Sequence, residues 1–171
     1  MNTKFYIEAK NNLEYISQKI SDDKYLNNLL YANIVTILET YLYKVFIFLL
    51  DNNPKLFKNL ANSSKFKNQK VSLKLALSNI KSHIFIMIRR LTYHNLADIE
   101  LIYKEVLKVD IKYDETILEI INIRHDIIHR NGYTKENITV VLSENDIIDT
   151  IKIFKNLIEN IDKQIIEKYN F

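Results

Sequence analysis

The sequence predicts an all-α protein: one domain of antiparallel helices, with a single short β-like segment before the last of them. Three observations carry that prediction. One glycine and one proline in 171 residues leave too few turns for an all-β or doubly wound fold, which needs one about every 10 residues. Apolar residues recur at helical spacing through several long stretches. Cap residues stand where those stretches begin and end. A hydrophobic content of 47% without any cysteine means that a chain of this size must, and can, build its core without disulfides.

The elements follow in order. Ile7, Leu13, Ile16 and Ile20 place an apolar stripe on a helix over residues 5–20, and Ser21-Asp22-Asp23 supplies the cap of the next. That second helix runs from Lys24 to Leu50 on a stripe that includes Leu26, Leu30, Ile34, Val35, Leu38, Leu42, Val45, Phe46 and Leu49; Asn52-Asn53-Pro54 ends it. Residues 55–69 read as a polar, basic loop with room for one short helical turn, the body of a basic insert at about 52–70. A third helix, Val71 to Leu91, is apolar on nearly every side from Ile84 to Ile88, which predicts a buried middle.

A short helix over Leu96–Leu107 and a connection over Asp110–Asp114 follow. Asp114 caps a helix from Glu115 to Asn131, and Gly132 falls where a left-handed C-terminal cap is expected. Ile138–Leu142 is the β-like run. Ser143 with Asp146 forms a capping-box variant that opens the last helix, Glu144–Tyr169. No internal repeat or low-complexity linker interrupts the chain, so residues 1–171 are expected to form a single domain.

The same scarcities exclude function classes. Gly132 alone cannot build a P-loop or a dinucleotide-binding loop, both of which use several glycines where amides approach an anion. The absence of cysteine removes thiolate zinc sites and thiol nucleophiles. The first residues lack an apolar core of signal-peptide length. The most apolar run, Tyr41–Leu50, is interrupted by Lys44 and falls short of the about 20 residues that span a bilayer. The expectation is a cytoplasmic protein with no membrane partner.

Net charge is +3, but from Asn52 to Ala97 there is no Asp or Glu, while Lys55, Lys58, Lys65, Lys67, Lys70, Lys74, Lys81, Arg89 and Arg90 all lie inside. Such a segment suits a polyanion, because lysines spread along it can neutralise several phosphates. A solvated lysine-rich face is the other reading. Lys65, Lys67 and Lys70 are the candidate substrate-binding lysines.

The segment Arg124-His125-Asp126-Ile127-Ile128-His129-Arg130-Asn131-Gly132 gathers half of the histidines. At 100° per residue Arg124 projects from an apolar stripe of Ile117, Ile120, Ile121, Ile127 and Ile128, with His125 and His129 one turn apart at its edge. Glu39 likewise sits among Ala32, Val35, Leu42, Tyr43 and Phe46 on its own helix. Opposite charges in the middle of two stripes predict that these helices pack with Glu39 near Arg124, since an unpaired buried charge is costly. That pair is either a structural salt bridge or part of a site. A zinc site on His125 and His129 would need a third ligand, such as Glu39 or Asp126, and Arg124 would repel the cation; no metal or cofactor is expected. His83 and His94 read as structural or surface residues.

The stretch RHDIIHRNG resembles the R-x4-H motif of the HEPN superfamily, above all its RiboL-PSP-like branch, with a polar residue after the histidine and then Asn-Gly. The long helix carrying ILETYL, the basic middle and the helix after a short extended run are similar to that branch's layout. The resemblance implies an all-α HEPN-like domain that dimerises through its motif helices and a metal-independent endoribonuclease, in a toxin or antiviral-defence setting. It places Arg124 and His129 in the motif, His125 at the polar position after the arginine, and Glu39 at an acidic position on the earlier helix. Arg130 and Asn131 would contact RNA. A second HEPN branch has R-x4-H-x-Y, whose tyrosine is modified by nucleotidyltransferases; here Asn131 holds that place and Tyr133 comes two residues later. The alternative expectation is a non-catalytic HEPN-fold RNA-binding module, or the partner of an antitoxin or nucleotidyltransferase.

Overall fold

The computed structural model describes residues 2–169. Among the described residues the protein is all-α: eight α-helices and one π-helical turn, with no strand. The helices are α1 (Lys4–Ser17), α2 (Lys24–Asn52), α3 (Lys55–Asn62), α4 (Leu73–Ser78), α5 (Ile80–Arg89), α6 (Leu96–Ile102), α7 (Glu115–His129) and α8 (Glu144–Tyr169), with the π turn at Tyr103–Leu107. The chain forms two compact units, one from the residues up to Tyr41 together with those from Lys112 onward, the other from Leu42–Ile111.

In the first unit α1 packs on α8. Thr3 caps α1 by accepting from the Tyr6 amide, and its own amide and hydroxyl donate to Asp162 at 3.0 and 2.5 Å. The Tyr41 hydroxyl donates to the same carboxylate at 3.0 Å. Asp162 is only 1% exposed, and these three donors replace the water it gives up on burial. Tyr6 beside it is pushed above its ordinary pKa, first by burial and then by Glu159 and Asp162. The expected stripe of α1 is rotated: Phe5, Tyr6, Ala9, Leu13 and Ile16 are buried and Ile7 is half exposed. Asp23 caps α2, accepting from the Tyr25 and Leu26 amides, and Leu26 beside that cap is 37% exposed. Ile34, Val35 and Leu38 of α2 are fully buried. By length and composition α2, 29 residues long, would be enough to cross a membrane, which the ten-residue run at Tyr41–Leu50 alone would not; 56% of its most apolar stretch is buried within the protein.

The second unit corrects three expectations. The basic segment at 52–70 is not mainly loop, because Lys55–Asn62 forms α3, a helix of eight residues that buries Leu56 and Leu60. The single helix expected over Val71–Leu91 is broken at Asn79, whose φ of −147° and ψ of 66° lie outside the helical region while its side chain accepts from the Ser82 amide and starts α5. Ile88 is buried, but Ile84, Phe85 and Met87 are only partly covered and Ile86 is 46% exposed. The middle of that helix is therefore not a core element. The helix at Leu96 ends in the π turn, and Lys108 at φ 57° stops it. Tyr103 in this turn stacks on Phe46 and donates to the Leu42 carbonyl at 2.5 Å.

Candidate functional site

Asp114 starts α7, its carboxylate accepting from the Ile117 amide at 3.1 Å. Ile117, Ile120, Ile121 and Ile127 are buried, whereas Ile128, expected in the same stripe, is 47% exposed. Arg124 lies among the buried residues with its side chain 14% exposed, and its Nη2 is 3.8 Å from Glu39 Oε2 on α2. The pairing inferred from two interrupted stripes is thus present, as an ion pair too long for a hydrogen bond between those atoms. The Nε of Arg124 is buried and has no hydrogen-bond partner among the described residues.

His125 and His129 are exposed, one helical turn apart, with ring centroids 4.5 Å apart at 47°. Arg130 forms an ion pair with Asp126, four residues back on the same helix. After His129 the amides of Arg130 and Gly132 both donate to the Asp126 carbonyl, at 3.0 and 3.1 Å. Asn131 and Gly132 both take positive φ, 53° and 83°, so the left-handed exit expected at the glycine is shared with the asparagine before it, a residue that tolerates this region.

The chain then doubles back. The expected β-like run is one antiparallel bridge, Tyr133 to Thr139, inside a tight hairpin in which the Thr134 amide donates to Ile138 and Val140 to Gly132, each at 2.8 Å. This hairpin closes a polar cleft of about 470 Å³ lined by Asn122, His125, Asp126 and Arg130 of the α7 region and by Thr134, Lys135 and Glu136. Asn122, Thr134, Lys135 and Glu136 were not legible as site residues. Asn122 stands three residues before His125, a helical spacing that could have drawn attention to it; the hairpin residues reach the cleft only through the left-handed exit.

Arg124, His125, His129, Glu39, Arg130 and Asn131 all belong to the first unit, whereas Lys65, Lys67 and Lys70 belong to the second. Lys65 is engaged with Asp98 at 2.5 Å. Lys67 lines an apolar pocket, and Lys70 is exposed. Among the described residues no group of three or more His, Cys, Asp or Glu side chains is placed to hold a metal ion. No family model matches the chain, and neither the curated proteins nor the solved structures contain a match.

Proposed function

We propose that the protein is a metal-independent endoribonuclease of HEPN type, acting as a homodimer, with Arg124 and His129 at its centre and His125 and Glu39 in support. The observation that carries this reading is the end of α7, where a guanidinium only loosely held by Glu39, its Nε unpartnered, shares one helix end with two exposed imidazoles 4.5 Å apart. RNA cleavage without a metal needs a base to take the 2′-hydroxyl proton as that oxygen attacks phosphorus. It also needs an acid to protonate the departing 5′-oxygen and a cation for the charge on the phosphorane. Imidazoles suit the first two tasks near neutral pH and arginine the third. Glu39 keeps the guanidinium on the α7 side of α2, and Arg130, tied to Asp126, borders the polar cleft where a phosphate or ribose could lie, while Asn131 follows it in the turn.

Two exposed apolar residues of α7, Leu118 at 41% and Ile128 at 47%, support a dimer through this helix. On a helical wheel Leu118 falls between His125 and His129, and Ile128 lies one residue before His129 at the open end of the helix, so a second α7 laid against Leu118 would bring the partner's imidazoles to the same phosphate. The setting, a toxin or a defence effector, follows from the resemblance alone.

The test is end chemistry. RNA incubated with the purified protein in EDTA should yield a 2′,3′-cyclic phosphate, and Arg124→Ala and His129→Ala should each remove it. RNA that is bound but not cut would mark the non-catalytic binding module instead, and cleavage lost in EDTA would end the metal-free mechanism.

A further inference from the structure

The second unit contains a cavity that has no place in the proposed cleavage. It measures about 310 Å³ and lies between α3 and α5, with Phe57, Leu60, Ile84 and Met87 in its walls. That volume is at the small end of ligand sites, about 300–1,000 Å³. Phe57 meets Phe85 edge to face at 6.1 Å, which holds one wall in place. The polar groups that line the cavity are Lys67, Gln69 and His83. None of the lining residues is acidic; Asp51 pairs with Lys81 and Asp98 with Lys65, while Glu105 accepts from the amide and hydroxyl of Ser64 and also attracts Lys67.

An apolar wall with only nitrogen-bearing polar side chains among its lining residues selects for charge as well as shape. A cation would meet Lys67 directly, whereas an anionic head would add to the attraction Lys67 already has for Glu105. α4, which joins Val71 to Ile80 of the cavity lining, leaves Leu73 and Leu77, one helical turn apart, 75% and 78% exposed.

We propose that this cavity binds the acyl chain of an anionic amphiphile, with a carboxylate or phosphate head held by Lys67 and His83. The head group could belong to a free fatty carboxylate or to a lipid in a bilayer, and the two sources differ in what must be presented to the protein.

Calorimetric titration of the 171-residue chain with decanoate, decanol and decyltrimethylammonium, each below its micelle concentration, reads the free form. Flotation with phosphatidylglycerol vesicles reads the bilayer form. Decanoate should bind at least tenfold more tightly than decanol, and the cation should not bind. Ala61→Trp fills the cavity from an exposed position of α3 and should weaken decanoate binding at least tenfold. Lys67→Gln should bring decanoate down to the affinity of decanol. Thermal melts of both variants separate these losses from unfolding. Vesicle flotation without decanoate binding, if Ala61→Trp abolishes it, supports the same site with a membrane source. Equal binding of decanol and decanoate, binding of neither decanoate nor vesicles, or binding unchanged by both substitutions would overturn the proposal.

Discussion

Residues 42–111 carry 12 Lys and Arg against five Asp and Glu, whereas the rest of the chain carries 12 against 16. The net-acidic unit nevertheless holds Arg124, His125 and His129, and the net-basic one holds an apolar cavity and exposed aliphatic side chains. Charge surplus and the residues proposed for acid–base chemistry therefore sit in different units. A basic segment attracts polyanions over a Debye length, which sets encounter and salt dependence, but it does not supply a proton acceptor. In the proposed cleavage the imidazole pair supplies it. Losses of rate should thus map to the first unit and losses of electrostatic affinity to the second.

The largest expected effect comes from Arg124. Removing a cation that stabilises a developing phosphorane should lower the cleavage rate about 100- to 1,000-fold, while Lys70→Gln should leave the rate at saturating RNA unchanged. Single-turnover kinetics on one labelled RNA measure both. A Lys70 variant that lost rate as severely as Arg124→Ala would dissolve the distinction between the units.

Stability gives the next effect. Asp162→Ala in the first unit strands the donors on Thr3 and Tyr41 that now meet at a carboxylate 1% exposed, and should cost about 3 kcal/mol in urea unfolding. Tyr103→Phe in the second unit removes one donor from the Leu42 carbonyl and should cost about 1 kcal/mol. Comparable losses from the two would mean that the buried carboxylate does not anchor the first unit more firmly than a single hydroxyl anchors the second.

Caps were the most legible part of the structure. Asp23, Asp114 and the Ser143–Asp146 box each make the hydrogen bonds their spacing implies, because a cap is a local contract between a side chain and amides two or three residues away. Asp146 is held below its ordinary carboxylate range by those same Ser143 bonds. The Glu39–Arg124 contact was legible for a different reason: a charge in an apolar stripe must find its opposite. The break at Asn79 and the exposure of Ile86 were not, since apolarity all round a helix says that it needs cover and not whether the chain has enough other surface to provide it. The cleft beside His125 was equally hidden, because two successive left-handed residues, Asn131 and Gly132, decide where Thr134 to Glu136 go.

That turn yields the third prediction. Gly132→Ala places a Cβ in ordinary contact with Asn28, 3.5 Å away, so the cost lies in the φ of 83° and not in a clash. It should be about 1–2 kcal/mol. Because the cleft depends on the turn, cleavage should fall further than stability does, and a variant that loses stability alone would detach the hairpin from the site.

The smallest effect sharpens the electrostatic half of the comparison. Each phosphate contact on single-stranded RNA contributes about 0.7 to the slope of log affinity against log salt. Neutralising Lys67 and Lys70 together should therefore flatten the slope by about 1.4. Lys65 is in direct contact with Asp98 at 2.5 Å, whereas Lys67 only lies near Glu105, so Lys65→Gln should change the slope much less, even though the three lysines lie within six residues of sequence. Fluorescence anisotropy with a labelled RNA at several salt concentrations reads all three. A Lys65 variant that flattens the slope as much as either of the others would mean that RNA displaces Asp98, and the basic surface would then be larger by that one residue.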